Sequence, residues 1–174
     1  TNNCFLPPAQ FDLIEPLAIS VSYIADDISC FGLNNGSIDL SIQGGVSPYS
    51  VTWQGPNGFT ATSQDIFNLN PGLYTLNITD SVFCLMDSSV SVTEPLQILI
   101  IATIQNEQCY GNADGEIDIT VTNANGPFSF NWIGPQSFTS TMEDIVGLNT
   151  GSYYITVSDS SSLCIAQDSF SISA

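Results

Sequence analysis

The sequence contains no lysine, no arginine and no histidine, against 17 acidic residues in a chain of 174. Each absence removes a class of chemistry. Without histidine there is no Ser-His-Asp or Cys-His nucleophile and no imidazole metal ligand. Without lysine there is neither a Schiff base nor a phosphate-cradling P-loop, and without arginine no bidentate clamp on phosphate. The net charge of −17 repels nucleic acid and anionic lipid over a Debye length of roughly 10 Å. No nucleic-acid partner is expected. Long apolar runs are missing too. The longest, Ile98-Leu99-Ile100-Ile101-Ala102, is strand-sized and far short of the roughly 20 residues of a spanning helix, so no direct membrane insertion is expected. No basic segment precedes an apolar stretch, as a signal peptide would require. The hydrophobic content of 43% is nonetheless enough to bury a core.

Internal repetition is the strongest feature present. Residues 17–95 align with residues 96–174, with one extra residue before Cys164. The matched pairs include Cys30/Cys109, Gly36/Gly115, Asp39/Asp118, Trp53/Trp132, Tyr74/Tyr153, Asp80/Asp159 and Cys84/Cys164. Residues 1–16 match the end of a unit, with Cys4 on Cys84 and Glu15-Pro16 on Glu94-Pro95. The organisation expected is therefore a tail of a preceding repeat (1–16), repeat 1 (17–95) and repeat 2 (96–174), excised from a longer array.

Each unit reads as all-β. Apolar and polar residues alternate in Ser37–Ile42, Glu116–Val121, Tyr74–Thr79 and Ser89–Val92, the period-two signature of a strand with one buried face. Turn signals such as Asn35-Gly36, Gly44-Gly45 and Asn70-Pro71-Gly72 separate them. About seven short strands per unit predict tandem Ig-like two-sheet β-sandwich repeats of about 79 residues. Trp53, Trp132, Tyr74 and Tyr153 are assigned to the core between the sheets. The Glu-Pro-Leu junctions leave almost no linker, and proline stiffens them, so the units are expected to form a rod.

Within a unit, Cys30 and Cys84 are 54 positions apart, and Cys109 and Cys164 are 55. That separation excludes a CxxC motif, and no histidine can complete a zinc site. The expectation is two disulfides inside the units, Cys30–Cys84 and Cys109–Cys164, with Cys4 bonded to a cysteine outside the fragment. Disulfides place the chain in an oxidising, extracellular setting.

The pattern Cys-x5-Gly-x-Ile-Asp, then Gly-Gly-x-x-Pro-Tyr-x3-Trp, then Asp-Ile-x2-Leu-x2-Gly-x-Tyr-x5-Asp-x3-Cys, resembles the SprB repeat. That family is known from giant surface adhesins of gliding Bacteroidetes. Cys30, Gly36, Asp39, Pro48, Trp53, Tyr74, Asp80 and Cys84 carry the resemblance in the first unit. The second unit departs at Asn123-Ala124, where the first has its glycine pair, and at Phe128, where it has Tyr49. The resemblance implies a non-catalytic structural or adhesive repeat of a long cell-surface filament, exported by the type IX secretion system and moved by the gliding machinery. Its localisation would be extracellular, on a bacterial outer-membrane-associated filament. Its partners would be neighbouring repeats of the same chain, with surface polysaccharide or the gliding machinery engaged through other regions.

Sharper readings compete with this one. Asp26, Asp27, Asp80 and Asp159 are candidate oxygen ligands for calcium, the only cofactor considered. Asp80 and Asp159 also stand where a carboxylate accepts turn N–H groups, and Asp39 and Asp118 are expected to face solvent. Paired carboxylates hydrolyse glycosides in other proteins, but short repeats lack room for a cleft, and no enzyme is expected. An extracellular carbohydrate-binding module is the alternative, with Phe59 and Phe138 as possible stacking surfaces. Asp80-Ser81-Val82 resembles a Bacteroidetes O-glycosylation sequon, which makes Ser81 a glycan candidate.

Overall fold

Alternation sets the strands, and the strands set two sheets per repeat. The computed structural model describes residues 15–124 and 126–174, so the tail expected over residues 1–16, with Cys4, lies almost wholly outside the described residues. In repeat 1 the strands are β1 (Ser20–Asp26), β2 (Gly36–Gln43), β3 (Ser50–Gln54), β4 (Thr60–Ala61), β5 (Ile66–Leu69), β6 (Gly72–Thr79) and β7 (Leu85–Val92). Repeat 2 gives the same series as β8 (Leu99–Gln105), β9 (Gly115–Thr122), β10 (Phe128–Ile133), β11 (Thr139–Ser140), β12 (Ile145–Leu148), β13 (Gly151–Asp159) and β14 (Ile165–Ile172). In β2, Ile38 and Leu40 are buried while Asp39 and Ser41 are exposed; in β6, Tyr74, Leu76 and Ile78 turn inward. Asp118 is likewise exposed.

The sheets of repeat 1 have the orders β1-β2-β5 and β4-β3-β6-β7, and those of repeat 2 the orders β12-β9-β8 and β11-β10-β13-β14. All pairings are antiparallel. This is an Ig-like sandwich, with three strands facing four and a tryptophan on the third strand. Trp53 and Trp132 are fully buried, and their indole N–H groups reach the carbonyls of Gln64 (3.2 Å) and Met142 (3.1 Å). Tyr74 and Tyr153 are buried beside them, and each donates its hydroxyl to a carbonyl four residues upstream, Asn70 or Asn149, at 2.9 Å. That bond is the tyrosine corner of Ig-like domains. Burial pushes both phenols above their ordinary pKa.

Each core belongs to one repeat. Ile38, Leu40, Trp53, Leu69, Tyr74, Leu76 and Ile78 pack together in the first, and Ile117, Trp132, Leu148, Tyr153, Ile155 and Val157 in the second. A short 3-10 turn, Pro56–Gly58 or Pro135–Ser137, bends each chain so that Phe59 or Phe138 meets the tyrosine edge-on, with ring centroids 5.4 and 5.3 Å apart. At the departure from the glycine pair, Asn123 adopts φ 63° where Gly44 has φ 70°. Asparagine tolerates this left-handed conformation better than most residues. Its amide also donates to the Gln97 carbonyl at 3.2 Å, tying the turn to the start of the repeat.

Candidate functional site

The joint between the repeats is built from two loops at opposite poles of the sandwich. The β1–β2 loop of repeat 1 carries Cys30, and the β13–β14 loop of repeat 2 carries Cys164. The structure joins them, with Cα atoms 5.5 Å apart across 134 positions of sequence. This corrects the expected pairing. Neither Cys30–Cys84 nor Cys109–Cys164 forms, and Cys84 and Cys109 are free and exposed. The reason is strand direction. Five strands, β2 to β6, separate Cys30 from Cys84, each reversing the last. An odd number of traversals leaves the two cysteines at opposite poles. The eight residues of β7, at about 3.4 Å each, hold those poles roughly 25 Å apart. A disulfide needs Cα atoms within about 7 Å.

The pole near Cys30 is closed by strand ends. Ile28 N–H donates to the Thr93 carbonyl (2.9 Å), and Thr93 N–H donates to Asp27 (2.7 Å). Repeat 2 does the same with Glu107 N–H to Ser173 (3.0 Å) and Ser173 N–H to Asn106 (2.9 Å). The Glu94 carboxylate of the linker accepts from Gly32 N–H at 3.0 Å, fastening the linker to the Cys30 loop. Cys164 Sγ also lies 3.2 Å from the Ser29 carbonyl oxygen. Between the repeats is a cleft of about 400 Å³, lined by Cys30, Phe31, Pro95, Leu96, Cys164 and Ile165 among others. Closing so long a loop stabilises the folded pair by about 5 kcal/mol in the chain-entropy account.

The calcium candidates are committed to the chain's own donors. Asp80 is 4% exposed and accepts from the N–H groups of Cys84 (2.8 Å), Val46 and Val82 (both 3.0 Å). Burial raises its pKa, but these donors together hold it below the ordinary carboxylate value. Asp159 accepts from the Ser161 hydroxyl (2.6 Å) and N–H (2.8 Å), which lower it. The Thr93 N–H lowers Asp27, and Asp26 accepts from the Ser37 hydroxyl at 2.8 Å. Among the described residues no group of three or more His, Cys, Asp or Glu is placed to hold a metal ion. Phe59 and Phe138 are half-buried against their tyrosines, so they are packing residues and not open stacking platforms. Ser81 is exposed, with its hydroxyl donating to the Val46 carbonyl at 2.9 Å.

Two carboxylate roles escaped the sequence reading. Asp65 and Asp144 accept from the N–H groups of Leu40 and Ile119 (both 2.9 Å), where β2 and β9 run past their partner strands. Glu107, 4% exposed, stands where repeat 1 has the core residue Ile28. The Thr150 hydroxyl (2.6 Å) and the Ala113 N–H (2.8 Å) lower its pKa. Its alignment with isoleucine was the visible signal of burial.

A search of the curated proteins gave no match. Among solved structures, the amphioxus IgVJ-C2 molecule aligns over 92% of this chain and 99% of its own, at 11% identity and a TM-score of 0.37. The family model described as "SprB repeat" matches at residues 22–58 and 101–137, from β1 or β8 through the Gly-Pro turn of each unit. The SprB repeat model thus finds one match in each sandwich.

Proposed function

We propose that these repeats are non-catalytic, load-bearing links of a long cell-surface filament that works in surface adhesion and gliding, exported by the type IX secretion system. The observation that carries this reading is the covalent bond across the joint, Cys30 to Cys164. Pulled from its ends, the chain would transmit tension from Cys30 through the sulfurs to Cys164. The 134 positions between them would be shielded from load. A module whose work is to bind one sugar has no need of such a shunt, whereas a thread dragged across a surface does. The SprB match and the disulfide both support an extracellular, cell-surface location.

Live-cell imaging tests the reading, using an antibody raised against residues 17–174 on intact, moving source cells. Label on long threads that travel along the cell is the expected result. Static label, or label found only in the medium, would break the link to gliding and favour the carbohydrate-binding module.

A further inference from the structure

We infer that Cys84 and Cys109 are the two halves of further joints, so that SprB repeats of this type are cross-linked in a staggered ladder. In it, the β1–β2 loop of each repeat is bonded to the β6–β7 loop of the repeat that follows. Cys109 is the repeat 2 counterpart of Cys30, and Cys84 the repeat 1 counterpart of Cys164. The Cys30–Cys164 bond joins those two loop types across a joint. Cys84 and Cys109 therefore stand on the poles facing away from that joint, where neither can reach the other.

Two independent observations point to the same occupant. First, burial follows bonding: Cys164 is buried and Cys30 half-buried, while Cys84 and Cys109 are exposed. Second, repeat 1 has its own copy of the inter-repeat cleft wall. Pro16, Leu17, Ile19, Cys84 and Leu85 line a cleft at the positions that Pro95, Leu96, Ile98, Cys164 and Ile165 take in the joint. In the joint the wall is completed by Cys30 and Phe31 of the preceding repeat. The partner that fits Cys84 is thus the Cys-Phe or Cys-Tyr loop of a preceding copy, and Tyr110 beside Cys109 is 86% exposed for the same use.

Each bond forms when two thiols lose two protons and two electrons. The acceptor is a disulfide, either an oxidised thiol–disulfide oxidoreductase or oxidised glutathione in vitro, which is reduced to two thiols. The ladder has a mechanical consequence. Every bond spans one cysteine of each repeat it joins, so along a rail tension crosses a bond, then a stretch equivalent to Cys84–Cys109, then another bond. That stretch is 25 residues, or roughly 85–90 Å fully extended. The staggered bonds form two interleaved rails, and in each rail one such stretch is the only backbone under load for each pair of repeats, so such a thread stays nearly inextensible even if its sandwiches unfold. The inference concerns cross-linking alone and does not rest on gliding.

The test is a head-to-tail concatemer of the chain, in which Ser173 of the first copy is followed by Glu-Pro and then Leu17 of the second. It is refolded in a glutathione redox buffer, alkylated with iodoacetamide and mapped by non-reducing peptide mass spectrometry. Cys109 of the single chain should be alkylated. In the concatemer that label should fall by half, because only the first copy's Cys109 is followed by another repeat, and a peptide joining Cys109 to Cys84 should appear. Undiminished labelling of Cys84 and Cys109 while Cys30–Cys164 forms would overturn the ladder, as would concentration-dependent dimers through Cys109. The same map made on protein recovered from its natural source guards against misfolding of the concatemer. There, Cys109 found as a free thiol, or bonded to Cys164, would overturn it equally.

Discussion

Tyr74 and Tyr153 fix the corner of each sandwich with a single hydroxyl bond and leave almost no other freedom to the ring. Removing that hydroxyl leaves the Asn70 carbonyl without its donor. Tyr74→Phe should therefore lower the stability of repeat 1 by about 1–2 kcal/mol, read as a drop in urea midpoint with unchanged slope. Carboxylates are the other decisive residues. Asp80, Glu107 and Asp159 lie below their ordinary values in the folded chain. Their stabilising share is complete above the unfolded-state values of 3.8 for Asp and 4.5 for Glu. It is lost as pH falls through the lower folded-state values. Glu107→Gln should accordingly be less stable than the parent at pH 7, with the two urea midpoints converging as the pH falls below about 4. Of these roles, the turn-capping by Asp80 and Asp159 was legible from an aspartate ending a strand before serine. Glu107 was legible as buried from its alignment with isoleucine but not in its partners, because Thr150, which donates both its hydroxyl and its N–H, lies far along the sequence.

At the scale of elements, the strands were legible and their polarity was the point missed. Alternation in Ser37–Ile42 and Tyr74–Thr79 identified β2 and β6 directly, since one face of each is buried. Counting the strands between Cys30 and Cys84 would have shown that the two loops lie at opposite poles. The spacing of cysteines alone does not, because separation in sequence carries no direction. The Gly-Pro turn offers a direct check of element packing. A β-carbon on Gly55 would fall 2.4 Å from Tyr74 Cε1, and the ring is held by Phe59 and by its hydroxyl bond. Gly55→Ala should destabilise repeat 1 by about 1–3 kcal/mol, and Gly134→Ala should do the same to repeat 2, where the approach is 2.5 Å. Thermal melts of the two variants are expected to shift by similar amounts.

For the whole molecule, two independent cores and one covalent joint define the behaviour. Each core is drawn from one repeat, so a Cys30→Ser/Cys164→Ser variant should keep both sandwiches folded. It should melt at a lower temperature and show a broader distribution of inter-repeat distances in small-angle scattering. The net charge of −17 has no basic counterpart anywhere in the chain. Raising NaCl from about 10 to 300 mM shortens the Debye length several-fold, and should raise the melting temperature by relieving self-repulsion. The central claim is that adjacent repeats are bonded across their joint and not within themselves. Its most direct test is a non-reducing pepsin digest of the oxidised chain, analysed by mass spectrometry; trypsin has no Lys or Arg at which to cut. The account predicts one peptide pair containing Cys30 and Cys164, and a Cys30–Cys84 or Cys109–Cys164 pair in its place would contradict it.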